Sequence, residues 1–205
     1  MEGVEGIGPN LGTQDLHTLF QLLSEELERR GETAHLFVVG GAAMALRFDD
    51  LRSTRDVDAV FEPVQVVRDA VATVSSSAGL PPDWLNDAVK GFLPGADNNP
   101  ETVFESSSLL VQVPSDQYLL ATKAFAARDH RDLADAAVIF NRANLADEKD
   151  IVDLLSSYYP QRLLQPRHFY VAGEIVSIAE HLGEGVTHDH LRPTLNSFKP
   201  PEMGL

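Results

Sequence analysis

In the segment RDVDAVFE, residues 55–62, the apolar Val57, Ala59 and Phe61 alternate with Asp56 and Asp58. A period of two is the signature of an extended strand with one buried face, so both carboxylates are expected side by side on the opposite face. Aspartate is a poor strand former, and like charges on neighbouring positions repel. A chain that keeps this pair needs something positive beside it.

The upstream sequence narrows the geometry. HLFVVGG reads as a short buried strand broken at Gly40 and Gly41, and AAMALRF has helix-forming composition directly after it. The order is therefore strand, Gly-Gly turn, helix, then the strand with the two aspartates, which Pro63 closes. Residues 13–30 place Leu16, Leu19, Phe20, Leu23 and Leu27 on one stripe, which predicts an amphipathic helix with Thr13 as N-cap and Gly31 as stop. VQVVRDAVATVSSSAG predicts another helix, PPDWLNDAVKGFLPG one short helix, and TVFES with SLLVQV an antiparallel hairpin. From Pro114 the pattern is helical only, with helices over DQYLLATKAFAARD, RDLADAAVIFNRA, DEKDIVDLLSSYY and RHFYVAGEIVSIAEHL. The expected class is α+β: a core over 13–113 with a small mixed or antiparallel sheet flanked by helices, then a helical region packed on it over 114–182. Residues 1–12 and 183–205 are expected to be flexible termini.

Charge limits the partners. Sixteen Lys and Arg stand against 31 Asp and Glu, a formal net charge of -15, which argues against broad wrapping of a nucleic-acid duplex. There is no cysteine, so disulfides, thiolate metal sites and cysteine nucleophiles are excluded. The acidic start MEGVEG lacks the basic region and apolar stretch of a signal peptide, and LFVVGGAAMAL is too short to span a bilayer. A cytoplasmic protein with no membrane association is expected.

Two carboxylates projecting from a rigid strand suit Mg²⁺, a hard cation that takes oxygen ligands and shares them with substrate phosphates. Gly40 and Gly41, without side chains at the start of a helix, let backbone N–H groups approach a phosphate closely. Arg52, Thr54 and Arg55 add guanidinium and hydroxyl groups suited to phosphate oxygens. Together these groups imply metal-assisted phosphoryl or nucleotidyl transfer. The plain alternatives are a tight turn at the glycines and a solvated strand face whose aspartates pair weakly with Arg52 and Arg55.

The stretch GGAAMALRFDDLRSTRDVDAV resembles the signature of minimal nucleotidyltransferases of the DNA polymerase β superfamily. The Arg-x-Thr-x-Asp-x-Asp form, Arg52, Thr54, Asp56 and Asp58, is most similar to the AbiEii-type branch, whose members include toxins of type IV toxin–antitoxin systems. The resemblance implies the nucleotidyltransferase fold. It also implies that Asp56 and Asp58 bind the metal of an NTP, that Gly40, Gly41, Arg52 and Thr54 hold its phosphates, and that NMP passes to an acceptor such as a tRNA 3′ end or a protein, with a cognate antitoxin as partner. YLLATKAFAARDHRDLADAAVIF resembles the same branch's lysine helix followed by Arg-Asp-x-x-Asp, which maps onto Lys123, Arg131, Asp132 and Asp135. Lys123 with Asp132 or Asp135 is then catalytic by resemblance. From physics alone, Lys123 shares a helical face with Leu119, Ala126 and Ala127, a poor place for a charge without an anionic partner.

The superfamily uses a third carboxylate on a later strand, and SSLLVQV has none. Glu105 is the nearest candidate, while Glu62 has the right parity but sits at the strand end. This departure motivates the alternative of a catalytically silent binding module with the same fold. His181, His188 and His190 read as a polar terminus rather than a zinc site. DVDAVF fails as a calcium loop at Phe61 and Val67, and GIGPNLG follows no strand as a dinucleotide loop must.

Overall fold

The computed structural model describes residues 7–8, 10–48, 53–91 and 93–183. The chain divides into two compact units, Met1–Ser115 and Asp116–Leu205. In the first, α1 (Thr13–Arg30) leads into β1 (Ala34–Val38), α2 (Gly40–Phe48), β2 (Val57–Glu62) and α3 (Val64–Ala78), followed by β3 (Leu85–Asn86), β4 (Glu101–Glu105) and β5 (Leu109–Val113). The five strands form one mixed sheet in the order β3-β2-β1-β5-β4. The central strand β1 runs antiparallel to β2 and parallel to β5, β3 is parallel to β2, and β4 closes the far edge as an antiparallel hairpin with β5.

Register decides which side chains share a face. Leu36 pairs with Phe61 and with Val111, and Val38 pairs with Ala59, so the apolar residues of all three central strands stack on one side and are buried there. The stripe of α1 is fully buried, and each such Leu or Phe contributes about 2 kcal/mol of transfer free energy. The alternate residues, Phe37, Asp58, Val60 and Gln112, lie on the other face and are only half-buried. That second face is where polar chemistry can stand on a rigid sheet.

Helix α1 has the predicted span, but its cap is Gly12, whose N–H donates to Asp15 Oδ2 at 2.9 Å. Thr13 is instead the first helical residue, and its hydroxyl donates to the Ala45 carbonyl at 3.0 Å, tying α1 to α2. Arg47, at the other end of α2, donates to the Pro114 carbonyl and pairs with Glu101 at 2.8 Å. The segment expected to be one helix after Pro81 is a two-residue strand, Leu85–Asn86, and a 3-10 turn, Ala88–Gly91. Its backbone joins the sheet because the Val57 N–H donates to the Trp84 carbonyl at 2.6 Å. Leu11, in the expected loose leader, is buried and exchanges two backbone hydrogen bonds with Thr54, at 2.6 and 3.0 Å.

The second unit contains α4 (Asp116–Ala126), α5 (His130–Arg142), α6 (Glu148–Tyr158) and α7 (Pro166–Gly183). Asp129 caps α5 by accepting from the N–H groups of Arg131 and Asp132, and Asp147 caps α6 by accepting from Asp150. Phe125 stacks on Tyr159 with ring centres 3.9 Å apart and on His168 at 4.8 Å, which joins α4 to α7. The whole is the expected α+β class, a small mixed sheet flanked by helices and then a helical region. Among the described residues no helix is long and apolar enough to cross a membrane.

Candidate functional site

The chain leaves β1 through Val39, whose N–H donates to the Asp58 carbonyl at 2.9 Å, and turns at once into α2. Gly40 makes that turn at φ 65°, a left-handed conformation that other residues adopt only with strain. A Cβ on Gly40 would lie 3.4 Å from Asp58 Oδ2, and one on Gly41 would lie 3.0 Å from Thr54 Oγ1. The glycine bend therefore sits directly against the Asp58 carboxylate and the Thr54 hydroxyl. It also presents the first N–H groups of α2, which have no intrahelical acceptor and carry the positive end of the helix dipole.

Asp58 stands on the half-buried face of β2. Asp56 lies one residue before the strand, exposed, so the expectation that both aspartates are strand residues is corrected: β2 begins at Val57, and the Asp56 carbonyl is taken by the Thr54 hydroxyl in the turn before it. The two charges still interact. Burial pushes the Asp58 carboxyl above its ordinary range, the Asp56 charge pushes it further, and a hydrogen bond from the Asn86 side chain opposes both. Among the described residues neither aspartate forms an ion pair with Lys or Arg, and exposed Arg55 pairs with neither.

Thr54 Oγ1 donates to the Asp56 carbonyl at 3.0 Å, which fixes the turn into β2 beside the glycine bend. Arg52 lies outside the described residues, as do His188 and His190. His181 is bonded through Nδ1 to the Ser177 carbonyl at 2.6 Å. Glu105 is on β4, separated from β2 by β1 and β5, so it does not supply a third carboxylate beside the pair. Glu62 is exposed at the far end of β2.

The residue that neighbours Asp58 is Asn86, its register partner on β3. Sequence reading missed it because two residues are too few to display a strand period, and the surrounding Trp84, Leu85 and Val89 imitate a helix. Among the described residues no group of three or more His, Cys, Asp or Glu could hold a metal ion. Two neighbouring carboxylates with no cationic partner among the described residues nevertheless fit Mg²⁺, which keeps several waters and completes its shell with phosphate oxygens rather than with a protein cage.

In the second unit, Lys123 Nζ lies 2.8 Å from Asp135 Oδ2 and 3.2 Å from Asp132 Oδ1. The lysine side chain is 14% exposed and that of Asp135 3%. The anionic partner that Lys123 required is thus both acids rather than one of them. Asp132 also accepts the Arg128 N–H at 3.2 Å, so the i,i+4 relation of these two runs through the backbone.

A model of a protein family described as a nucleotidyltransferase of unknown function (DUF6036) matches residues 14–141, from α1 to the last turn of α5. No protein of curated function and no solved structure matches the chain.

Proposed function

The chain belongs to this DUF6036 family of nucleotidyltransferases, and on that premise we propose that it transfers NMP from a Mg²⁺-bound NTP to an acceptor nucleophile, with cleavage of the α–β phosphoanhydride bond and release of pyrophosphate, in the manner of the AbiEii-type branch. The carrying observation is the closeness of the Gly40 bend to the Asp58 carboxylate, since a Cβ there would lie 3.4 Å from Asp58 Oδ2, which puts the start of α2 and an acidic pair with no Lys or Arg partner among the described residues at one place on the sheet. Asp56 and Asp58 would hold the metal. Gly40, Gly41, Thr54 and, from the sequence signature, Arg52 would hold the polyphosphate. Bound there, Mg²⁺ would neutralise phosphate charge and orient the reacting phosphoryl group.

The chain's own contribution is positioning. The glycine bend gives the phosphates a close approach to backbone donors that carry no side-chain entropy, and the rigid β1–β2 ladder keeps those donors at a fixed distance from the carboxylates. The acceptor is a tRNA 3′ end or a protein side chain, and a toxin role with a cognate antitoxin in the cytoplasm follows from the AbiEii-type reading. Incubating the chain with each labelled NTP, Mg²⁺ and either total tRNA or a cell lysate tests this. Incorporation that disappears in both Asp56→Ala and Asp58→Ala supports it.

One observation favours a second reading. The side chain beside Asp58 on the neighbouring strand is the amide of Asn86 and not a carboxylate that could accept a proton. A nucleotide-binding module without transfer would have the same bend and the same pair. Nucleotide binding with no label in any acceptor would decide for it.

A further inference from the structure

We propose that Asn86 is a positioning residue that orients the Asp58 carboxylate toward the glycine bend, an inference that rests on the nucleotide-site reading above. Asp58 and Asn86 are register partners on parallel strands, so their side chains leave the sheet on the same face. The direction of the amide is not arbitrary. Asn86 Oδ1 accepts the Ala88 N–H at 3.1 Å, which leaves only the Nδ2 hydrogens to face a carboxylate.

The mount is rigid as well. Val57 is bonded to the Trp84 carbonyl at 2.6 Å, Trp84 is buried, and the 3-10 turn after Asn86 is closed by the Lys90 N–H on the Asp87 carbonyl at 3.2 Å. A carboxylate on a strand otherwise rotates broadly about its last torsion. Here the Asn86 amide stands beside it as its register partner on the β3 side, and a Cβ at Gly40 would come within 3.4 Å of its Oδ2 on the β1 side. A neutral donor supplies this orientation without adding a third negative charge to a pair that already repels. A residue with this job modifies how well Asp58 binds a cation and has no binding role once Asp58 is gone.

The test uses the full chain, stripped of metal, with Mn²⁺ as the probe and free Mn²⁺ followed by electron paramagnetic resonance in the presence of a non-hydrolysable NTP. Asn86→Ala should weaken Mn²⁺ binding about tenfold. The same change in an Asp58→Ala background should weaken it no further, because the two act as a unit. Asn86→Ser, which keeps a shorter donor, should fall between, and serves if the alanine variant folds poorly. Equal weakening in both backgrounds, or none in the Asp58-containing chain, overturns the proposal.

A second readout needs no metal. The ¹⁵N-resolved side-chain amide signals of Asn86 should be displaced from those of a free carboxamide and should move toward them in Asp58→Ala. Signals indifferent to Asp58→Ala overturn the positioning role. A chain that binds no Mn²⁺ but whose Asn86 signals respond to Asp58→Ala would instead remove the metal-site reading and leave the pairing intact.

Discussion

Asp58 and Lys123 are both charges withdrawn from water, yet the two units treat them in opposite ways. Lys123 is closed in by two acids of the next helix, so its charge is compensated within the unit. Asp58 has an amide on one side, a glycine bend on another, and a second carboxylate whose charge makes its own ionisation harder. A compensated buried charge holds structure together, whereas an acidic pair with no Lys or Arg partner among the described residues is, on the proposed function, held for a bound cation. Substitutions at the two places should therefore separate stability from binding.

The largest stability effect belongs to the closed cluster. Lys123→Ala would remove the ammonium group that lies 2.8 Å from the nearly fully buried Asp135, and breaking a buried pair in this way costs on the order of 3 kcal/mol. Urea denaturation measures it. A loss below about 1 kcal/mol would mean that Asp135 is easily satisfied by other groups, and the contrast with Asp58 would collapse.

Next come two glycines with the same backbone and different surroundings. Gly31, φ 69°, ends α1 with nothing near a would-be Cβ, while Gly40, φ 65°, faces Asp58. Alanine at either position should cost about 1 kcal/mol through the left-handed conformation. Only Gly40→Ala should also weaken nucleotide binding, on the order of tenfold or more, because it displaces the carboxylate and covers the phosphate approach. Paired melting curves and fluorescent-nucleotide titrations would show whether the cost is shared and the binding loss is not.

A third effect depends on pH. Hydrogen bonds and charge from Arg29 and Arg30 hold the Glu26 carboxyl at about 2, below its ordinary 4.5. A lowered folded value contributes stability above the unfolded value and loses it as pH falls toward the folded one, so the window is about 4.5 down to about 2. With Arg29 well exposed, solvent screening reduces the contribution to about 1–2 kcal/mol. Denaturant midpoints across that window should fall in the native chain, and by less in Glu26→Gln.

What the sequence made legible follows from range. The α1 stripe, the glycine break after β1, the alternation in β2 and the hairpin β4–β5 are patterns within a few residues, and each appears in the fold where local periodicity placed it. The cap of α1 moved from Thr13 to Gly12 because Asp15 accepts the Gly12 N–H while the distant Ala45 carbonyl accepts the Thr13 hydroxyl that would otherwise cap. Leu11 against Thr54 and Asn86 beside Asp58 are contacts between segments far apart in sequence, each only one or two residues long. No period can announce a strand of two residues. The candidate site was half visible for the same reason: its glycines and aspartates lie in one continuous stretch, but the amide beside Asp58 comes from elsewhere.

The smallest effect sharpens the comparison most. The folded Asp58 carboxyl lies above its ordinary value, so the native state holds this proton more tightly than the unfolded chain does, and its ionisation takes stability away as pH rises through that raised value. Asn at this position removes the like charge facing Asp56 while keeping the shape. In the metal-free chain at neutral pH, Asp58→Asn should therefore leave stability within about 0.5 kcal/mol of the native chain or slightly above it. The same variant should lose the stabilisation that Mg²⁺ and nucleotide give the native chain, since a ligand that binds only the folded state raises its melting temperature. Melting curves with and without Mg²⁺ and nucleotide read both quantities in one experiment. If Asp58→Asn instead cost several kcal/mol without ligand, the carboxylate would belong with Asp135 as a structural charge, and the division between the two units would have to be abandoned.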